Sequence, residues 1–427
     1  MKSLFDRDEI QKIRCQTDDY LRQTLLPFWI ERAIDQQYGG FLTYYDRNGQ
    51  ATGETDKTFL MQIRSLYTFA AAHRAGYSAD GKCLQLARSG ADFILTHYQD
   101  QKNEGWIWIA DRQGNPLNRS KIGYGQCFAI YAMSEYYLAS GDARGRQAAL
   151  DTYAAIQKNM SDTRFGGYYE IMQEDWQPER PGRFGGDRKG FDVHMHMMEA
   201  LTRLYEMTHH PSHRRRLLEV ISLILERMLH PEYRVGYMQF SLDFTPLAAI
   251  LFETEWGRDA APADGVARPL DTTSYGHNVE FSWLLLHALE ILDKPAMPYL
   301  DVIRKIADHC CENGIDWQYG GVCVDGPFNG PPTDTEKQFW QQAEVLVGML
   351  DACLLFGDER YWRAFVQVYH FVFDKFICWA GGGEWFERLD RQGNLIDDAL
   401  GHAWKINYHT VRSMIQVVHR LDMLLNR

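Results

Sequence analysis

Apolar positions along this chain fall into two alternating helical patterns. One kind of segment carries a single stripe at helical spacing, as in Leu217, Leu218, Ile221, Ile224, Leu225 and Met228, or in Leu300, Ile303, Ile306 and Cys310. Such a stripe marks a helix with one face in water. The other kind is apolar almost all round. Val279, Phe281, Trp283, Leu284, Leu285, Leu286 and Leu289 leave no polar face, so that helix is expected to be buried. Short polar breaks such as Ala75-Gly76-Tyr77-Ser78 and Leu292-Asp293-Lys294-Pro295 separate the two kinds.

Between each striped helix and the next buried one lies a glycine followed by aromatic, strand-like sequence. Gly39-Gly40-Phe41, Gly105-Trp106, Gly166-Gly167-Tyr168, Gly236-Tyr237, Gly320-Gly321-Val322 and Gly383-Glu384-Trp385 are six occurrences of it. They recur roughly every 60 to 85 residues, the mark of an internal repeat. Three run on into Asp46-Arg47-Asn48-Gly49, Asp111-Arg112-Gln113-Gly114 and Asp390-Arg391-Gln392-Gly393, which read as hairpin turns. The pattern predicts an all-α chain, a single (α/α)6 barrel over residues 1–427 with about twelve helices and short β-hairpins at one end. An open solenoid would share the local pattern but end in polar caps. The last segment instead carries Trp404, Tyr408, Val411, Ile415, Val418 and Leu425, and is read as one apolar helix needing a partner. The stretch from Arg258 to Thr272, rich in Ala, Asp and Pro, is expected to be a loop over the cavity mouth.

Charge and cysteine usage narrow the function classes. A formal net charge of −12, with no basic face standing out, argues against nucleic acid or an anionic membrane as partner. The eight cysteines are scattered, which fits neither a disulfide framework nor a zinc knuckle and points to a reducing cytoplasm. The N-terminus is acidic where a signal peptide needs an apolar run, and no stretch of about 18 uncharged apolar residues follows. The expected protein is cytoplasmic, a monomer or homodimer, with a small-molecule partner.

If the buried helices all start at the hairpin end, their first two turns converge on one cavity. Unusual polar residues fall there: Arg64, Tyr124, Asp192, His194, His196, His277, Glu280, Trp340, Gln342, Glu344, Trp404, Lys405 and His409. His194 and His196, two apart on a helix, point to nearly opposite sides, so at least one is structural, and His196 is the one expected in the lumen. His277 and Glu280 stand at i and i+3, where the carboxylate can hold the imidazole in one tautomer. No pair among these histidines stands at i, i+4 to support a metal, no Gly-rich loop supports a phosphate, and no nucleophile elbow an acyl-enzyme. Neither metal nor cofactor is expected. Proton transfer by histidine remains, beside tryptophan faces suited to sugar C–H groups.

Six ordered motifs then carry a family resemblance: Lys57 to Arg64 (KTFLMQIR), Tyr124 to Phe128 (YGQCF), His194 to Ala200 (HMHMMEA), Ser274 to Glu280 (SYGHNVE), Lys337 to Glu344 (KQFWQQAE) and Trp404 to His409 (WKINYH). The chain resembles the N-acylglucosamine 2-epimerase superfamily, most closely its cellobiose, mannobiose and mannose 2-epimerases. The resemblance implies an (α/α)6 barrel without metal or nucleotide for the cellobiose-type reaction. It implies His277 and His409 as the acid/base pair on opposite faces of C2, His196 as helper in ring opening or intermediate stabilisation, and Glu280 as orienter of His277. Arg64, Tyr124, Asp192, Trp340, Glu344 and Trp404 would bind the sugar. Asp192 stands where the cellobiose enzymes carry asparagine, and Phe339 where a second tryptophan is usual. The expected activity is interconversion of glucose- and mannose-configured reducing sugars, free or at the end of a β-1,4-disaccharide. Alternatives are aldose–ketose isomerisation at the same site, a glycoside hydrolase using two carboxylates such as Glu280 and Glu344, or a sugar- or protein-binding barrel without activity.

Overall fold

The computed structural model describes residues 5–252 and 267–427. The first helical rod is α1 (Arg7–Tyr20), which runs through one π turn, Leu21–Leu25, into α2 (Leu26–Arg32). Eleven further helices follow: α3 (Phe59–Arg74), α4 (Lys82–His97), α5 (Gly123–Ser140), α6 (Ala143–Asn159), α7 (Phe191–Thr208), α8 (Pro211–Leu223), α9 (Tyr275–Ile291), α10 (Leu300–His309), α11 (Phe339–Phe356), α12 (Glu359–Phe371) and α13 (Asn407–Leu425). Twelve rods result among the described residues, as the spacing predicts.

Their contacts close a ring. Helix α3 packs on α5, α5 on α7, α7 on α9, α9 on α11, α11 on α13, and α13 returns to α3. Each helix of this inner ring is covered by the striped helix after it, α4 on α3 through to α12 on α11, and α1 covers α13. The apolar patterns explain the layering. Twelve of the seventeen residues of α9 are buried, whereas α8 buries only His213, Leu217, Val220 and Ile221. Helix α11 is the one among the described residues long and apolar enough to cross a bilayer, and 78% of that window is buried inside the ring.

The hairpins form a second ring at one end. The strand before each inner helix pairs with the hairpin of the next repeat, Lys57–Thr58 with Ile109–Ala110, Lys121–Ile122 with Ile171–Met172, Arg188–Gly190 with Gln239–Ser241, Thr272–Ser274 with Asp325–Pro327, and Lys337–Gln338 with Arg388–Leu389. A bridge from Tyr45 to Gly401 joins the last interval to the first hairpin. Strand ends place five of the inner helix starts at this rim, and the Tyr45–Gly401 bridge ties in the segment before the sixth.

Buried ion pairs anchor the junctions. Two residues before five of the six inner helices stands a lysine, and its Nζ reaches an acid in the preceding turn: Lys57 to Asp35 at 3.0 Å, Lys121 to Asp100 at 2.7 Å, Lys189 to Asp162 at 2.7 Å, Lys337 to Asp316 at 3.3 Å and Lys405 to Glu384 at 3.2 Å. In the fourth repeat Thr273 takes the lysine's place and donates to the Gly236 carbonyl at 2.7 Å. This register corrects one expectation. Trp404 and Lys405 do not lie in the last helix, because the buried Lys405 holds the pre-helical turn and α13 starts at Asn407. Of the loop expected over the cavity mouth, residues 258–266 lie outside the described residues.

Candidate active site

One register places the polar groups. Three residues after each helix start, a side chain ties the helix to its own hairpin: the amide of Gln62 caps Phe41, that of Gln126 caps Trp106 and that of Gln342 caps Val322, each through both backbone groups. Asn278 accepts the Gly236 N–H at 2.7 Å. His194 occupies this position in α7. It is fully buried, its Nε2 accepts the Tyr168 N–H at 3.1 Å, and its Nδ1 therefore donates to the Gly190 carbonyl at 2.8 Å. A side chain on Gly167, at φ +72°, would collide with this ring. His194 is structural, and burial pushes its pKa down to about 4.

Two and five residues after the helix starts come the groups that line or underlie the cavity. His277 and His409 share the first position on α9 and α13, and Arg64, His196, Glu280, Glu344 and Arg412 share the second on α3, α7, α9, α11 and α13. Arg64, Tyr124, Asp192, His277, Glu280, Phe339, Trp340, Trp404 and His409 line a cavity of about 270 Å³ at the hairpin end, together with Glu170, Gln338, Glu387 and His402. Through Glu170, Asp192, His277 and Trp404 it adjoins a second chamber of about 590 Å³, walled by Tyr237, Met238, Ile250 and Phe252. The pair together has the size of a small-molecule site.

His277 and His409 are not across the ring from each other. Their helices both pack on α11, whose Trp340 lies between them with its ring centroid 4.5 Å from His277 and 5.8 Å from His409. Burial pulls both imidazoles down to about 3, so both are neutral at physiological pH. His409 is held by Glu344, whose Oε1 lies 2.7 Å from Nδ1, leaving Nε2 for the cavity. The expected bond from Glu280 to His277 is absent. Glu280 Oε1 instead accepts from Arg412 at 2.7 Å, its Oε2 has no partner, and no described residue hydrogen-bonds the His277 ring.

Arg412 and Glu199, missed in the sequence, hold this site together. The Arg412 guanidinium contacts Glu199, Glu280 and Glu344, and the Tyr408 hydroxyl beside it. Burial acts to raise Glu199 and Glu344, but Arg412 and their histidine partners outweigh it and hold each at about 2. Glu280 goes the other way: burial, then the Glu344 charge, raises it well above the carboxylate range, which favours its neutral form. Glu344 thus lies beneath His409 rather than on the cavity wall, and also accepts from Trp283 Nε1 at 2.9 Å.

His196 sits one layer below the cavity as well, 1% exposed. Its Nδ1 is 2.9 Å from Glu199 and its Nε2 2.8 Å from the Tyr124 hydroxyl, to which Arg64 Nη2 donates at 3.0 Å. It reaches the lumen only through Tyr124. Glu280, Glu344 and His409 are close enough to hold a metal ion. Arg412 Nη2 already lies within 2.8 Å of both carboxylates, so a cation there would have to displace a guanidinium that balances them.

Comparison with known proteins fits this geometry. The sequence profile of the N-acylglucosamine 2-epimerase (GlcNAc 2-epimerase) family matches residues 39–413, an interval that spans all six inner-helix starts. The chain belongs to this family. It is an enzyme of the isomerase class. It is 28% identical to the cellobiose 2-epimerase of Bacteroides fragilis over 96% of this chain and 99% of that one. It is 25% identical to the D-mannose isomerase of Marinomonas mediterranea, over 93% and 95%. The solved structure of cellobiose 2-epimerase from Spirochaeta thermophila superimposes with a TM-score of 0.85 at 27% identity, covering 98% of this chain and 99% of that chain.

Proposed function

We propose that this member of the family is a single-domain (α/α)6 barrel that inverts C2 of a glucose- or mannose-configured reducing sugar through an enediolate. The observation that carries the reading is the pair of neutral histidines, His277 and His409, flanking Trp340 in one cavity. Its relatives named for cellobiose and mannose support the sugar class, and the closed ring of alternating helices supports the barrel.

Ring opening gives a C1 carbonyl, which acidifies the C2 hydrogen. One neutral imidazole takes that proton as general base. Negative charge on the enediolate oxygens meets Arg64, whose Nη2 already donates to Tyr124, and the protonated Glu280. The second histidine, once it has taken up a proton from solvent, delivers that proton to C2 from the other face, C2 inverts, and the first histidinium returns its proton to solvent. In the resting enzyme Glu344 fixes the His409 tautomer, the orienting task expected of Glu280. His196 supports Tyr124, and Trp340 and Trp404 offer the sugar flat apolar faces. The smaller cavity takes the reacting ring and the adjoining chamber leaves room for a second sugar.

Aldose–ketose isomerisation is the second reading, since the same enediolate yields a ketose when the proton is delivered to C1, and the D-mannose isomerase relative favours it. Proton NMR of the enzyme with mannose, glucose, cellobiose and mannobiose separates them. The C2 epimer is expected as the main early product. Fructose from mannose, with glucose late or absent, would replace epimerisation with isomerisation, and release of monosaccharide from the disaccharides would point to hydrolysis.

A further inference from the structure

Where the two chambers meet, two acids face each other without a base. Glu170, on the hairpin after α6, is 6% exposed, lines both chambers, and its Oε2 has no hydrogen-bond partner. Asp192 opens α7 and lines the same junction. A Cβ placed on Gly190 would lie 2.4 Å from Asp192 Oδ1 and 2.8 Å from Glu170 Oε2, so the two oxygens share the space over this one glycine. The cations near them hydrogen-bond elsewhere, although the charge of Arg188 opposes the rise of Glu170. Arg188 donates to Gln239 and the Ala248 carbonyl, Lys189 to Asp162, and Arg268 pairs with Asp325. Arg64 is on Tyr124 and the Trp404 carbonyl. Of the remaining titratable groups facing the pair, His194 and His196 are committed within their own bonds, Cys127 and Tyr124 are neutral, and His277 lies across the junction.

The structure assigns Glu170 the part of a positioning residue that shares one proton with Asp192, so that Asp192 presents a neutral O–H donor to a hydroxyl of the bound sugar. Two carboxylates this close at a largely buried junction cannot both ionise without cost, and one proton bound between them removes the repulsion. Burial, and for Glu170 the Asp192 charge, raise both acids, in keeping with that arrangement. Protonated, Asp192 offers a donor and an acceptor as an amide does. Sugar recognition then depends on pH through KM, because ionisation of the pair replaces a donor with a second acceptor.

The inference rests on the sugar-epimerase reading, and the test separates the two. KM and kcat are measured from neutral to alkaline pH for the parent, E170Q and D192N, with circular dichroism to check folding. The parent should show KM rising at alkaline pH with kcat little changed. D192N, a donor at every pH, should show a KM that no longer rises at alkaline pH. E170Q frees Asp192 to ionise and should raise KM at neutral pH about tenfold, the rise reversing on acidification. An E170Q enzyme with the parent's KM profile, or a D192N enzyme that keeps the parent's alkaline rise, overturns the inference. Infrared difference spectra of the sugar-free protein, parent minus E170Q, read the proton without any turnover. A protonated-carboxyl band is expected and its absence overturns the shared proton, whereas a parent that turns over no sugar while showing that band refutes the epimerase reading alone.

Discussion

Replacing Arg412 with methionine removes the cation shared by Glu199, Glu280 and Glu344 while keeping most of the side-chain volume. In the parent, Glu199 and Glu344 are held at about 2, against an ordinary value near 4.3. Both folded values lie below the unfolded one, so their stabilisation is complete above about pH 4.3 and is lost as pH falls through about 2. Each shift corresponds to roughly 3 kcal/mol, but the histidine partners supply part of it and the terms overlap. Stranding carboxylates in a site where Arg412 is 3% exposed should therefore cost about 3–5 kcal/mol at neutral pH. In the variant the acids bind protons more readily, so its deficit relative to the parent should shrink on acidification. Urea unfolding of both proteins at neutral and mildly acidic pH checks this, with kcat falling at least about tenfold as Glu344 loses its hold on His409. A deficit under about 1 kcal/mol, the range of a surface pair, or one that stays constant with pH, would refute the shared-cation account.

H277A and H409A should each lower turnover by about 10²- to 10⁴-fold with unchanged circular dichroism; near-parental activity in either folded variant contradicts the two-histidine mechanism. Because burial holds both imidazoles at about 3, kcat/KM should keep its plateau well below the ordinary histidine value of about 6.5 and decline only in stronger acid, so a pH–rate profile falling through about 6.5 counts against neutral resting histidines. K121M leaves Asp100 buried without its ammonium partner and should cost about 3–5 kcal/mol, while K121M/D100N recovers much of it, both read by thermal or urea unfolding.

The ring of helices was legible because full burial and half burial write different patterns, as α9 and α8 do, and because the glycine-aromatic hairpins mark the period. The lysines before the inner helices were not recognised. A lysine between elements ordinarily belongs in water, and only the fold shows Lys57, Lys121, Lys189, Lys337 and Lys405 turned onto buried acids. His277, His409, Trp340 and Arg64 could be gathered from the sequence, since they follow helix starts that share one rim. The orienting bonds could not, because they cross between helices. The i, i+3 spacing of His277 and Glu280 was a fair local argument, but Arg412 of another helix outbids His277 for the carboxylate, and Glu344 reaches His409 from α11. Glu170 was missed because a hairpin glutamate carries no signal until Asp192 is seen beside it.

The most direct test of two bases on two faces is exchange of the C2 hydrogen in D2O by H277N and H409N, each offered the glucose- and the mannose-configured form of a substrate in separate NMR time courses. A variant with one base left can remove and return a proton on one face only. The account predicts that each variant washes deuterium into C2 of one epimer without inverting it, and that the two variants choose opposite epimers. The same exchange pattern in both variants, whether both epimers or neither, would contradict it.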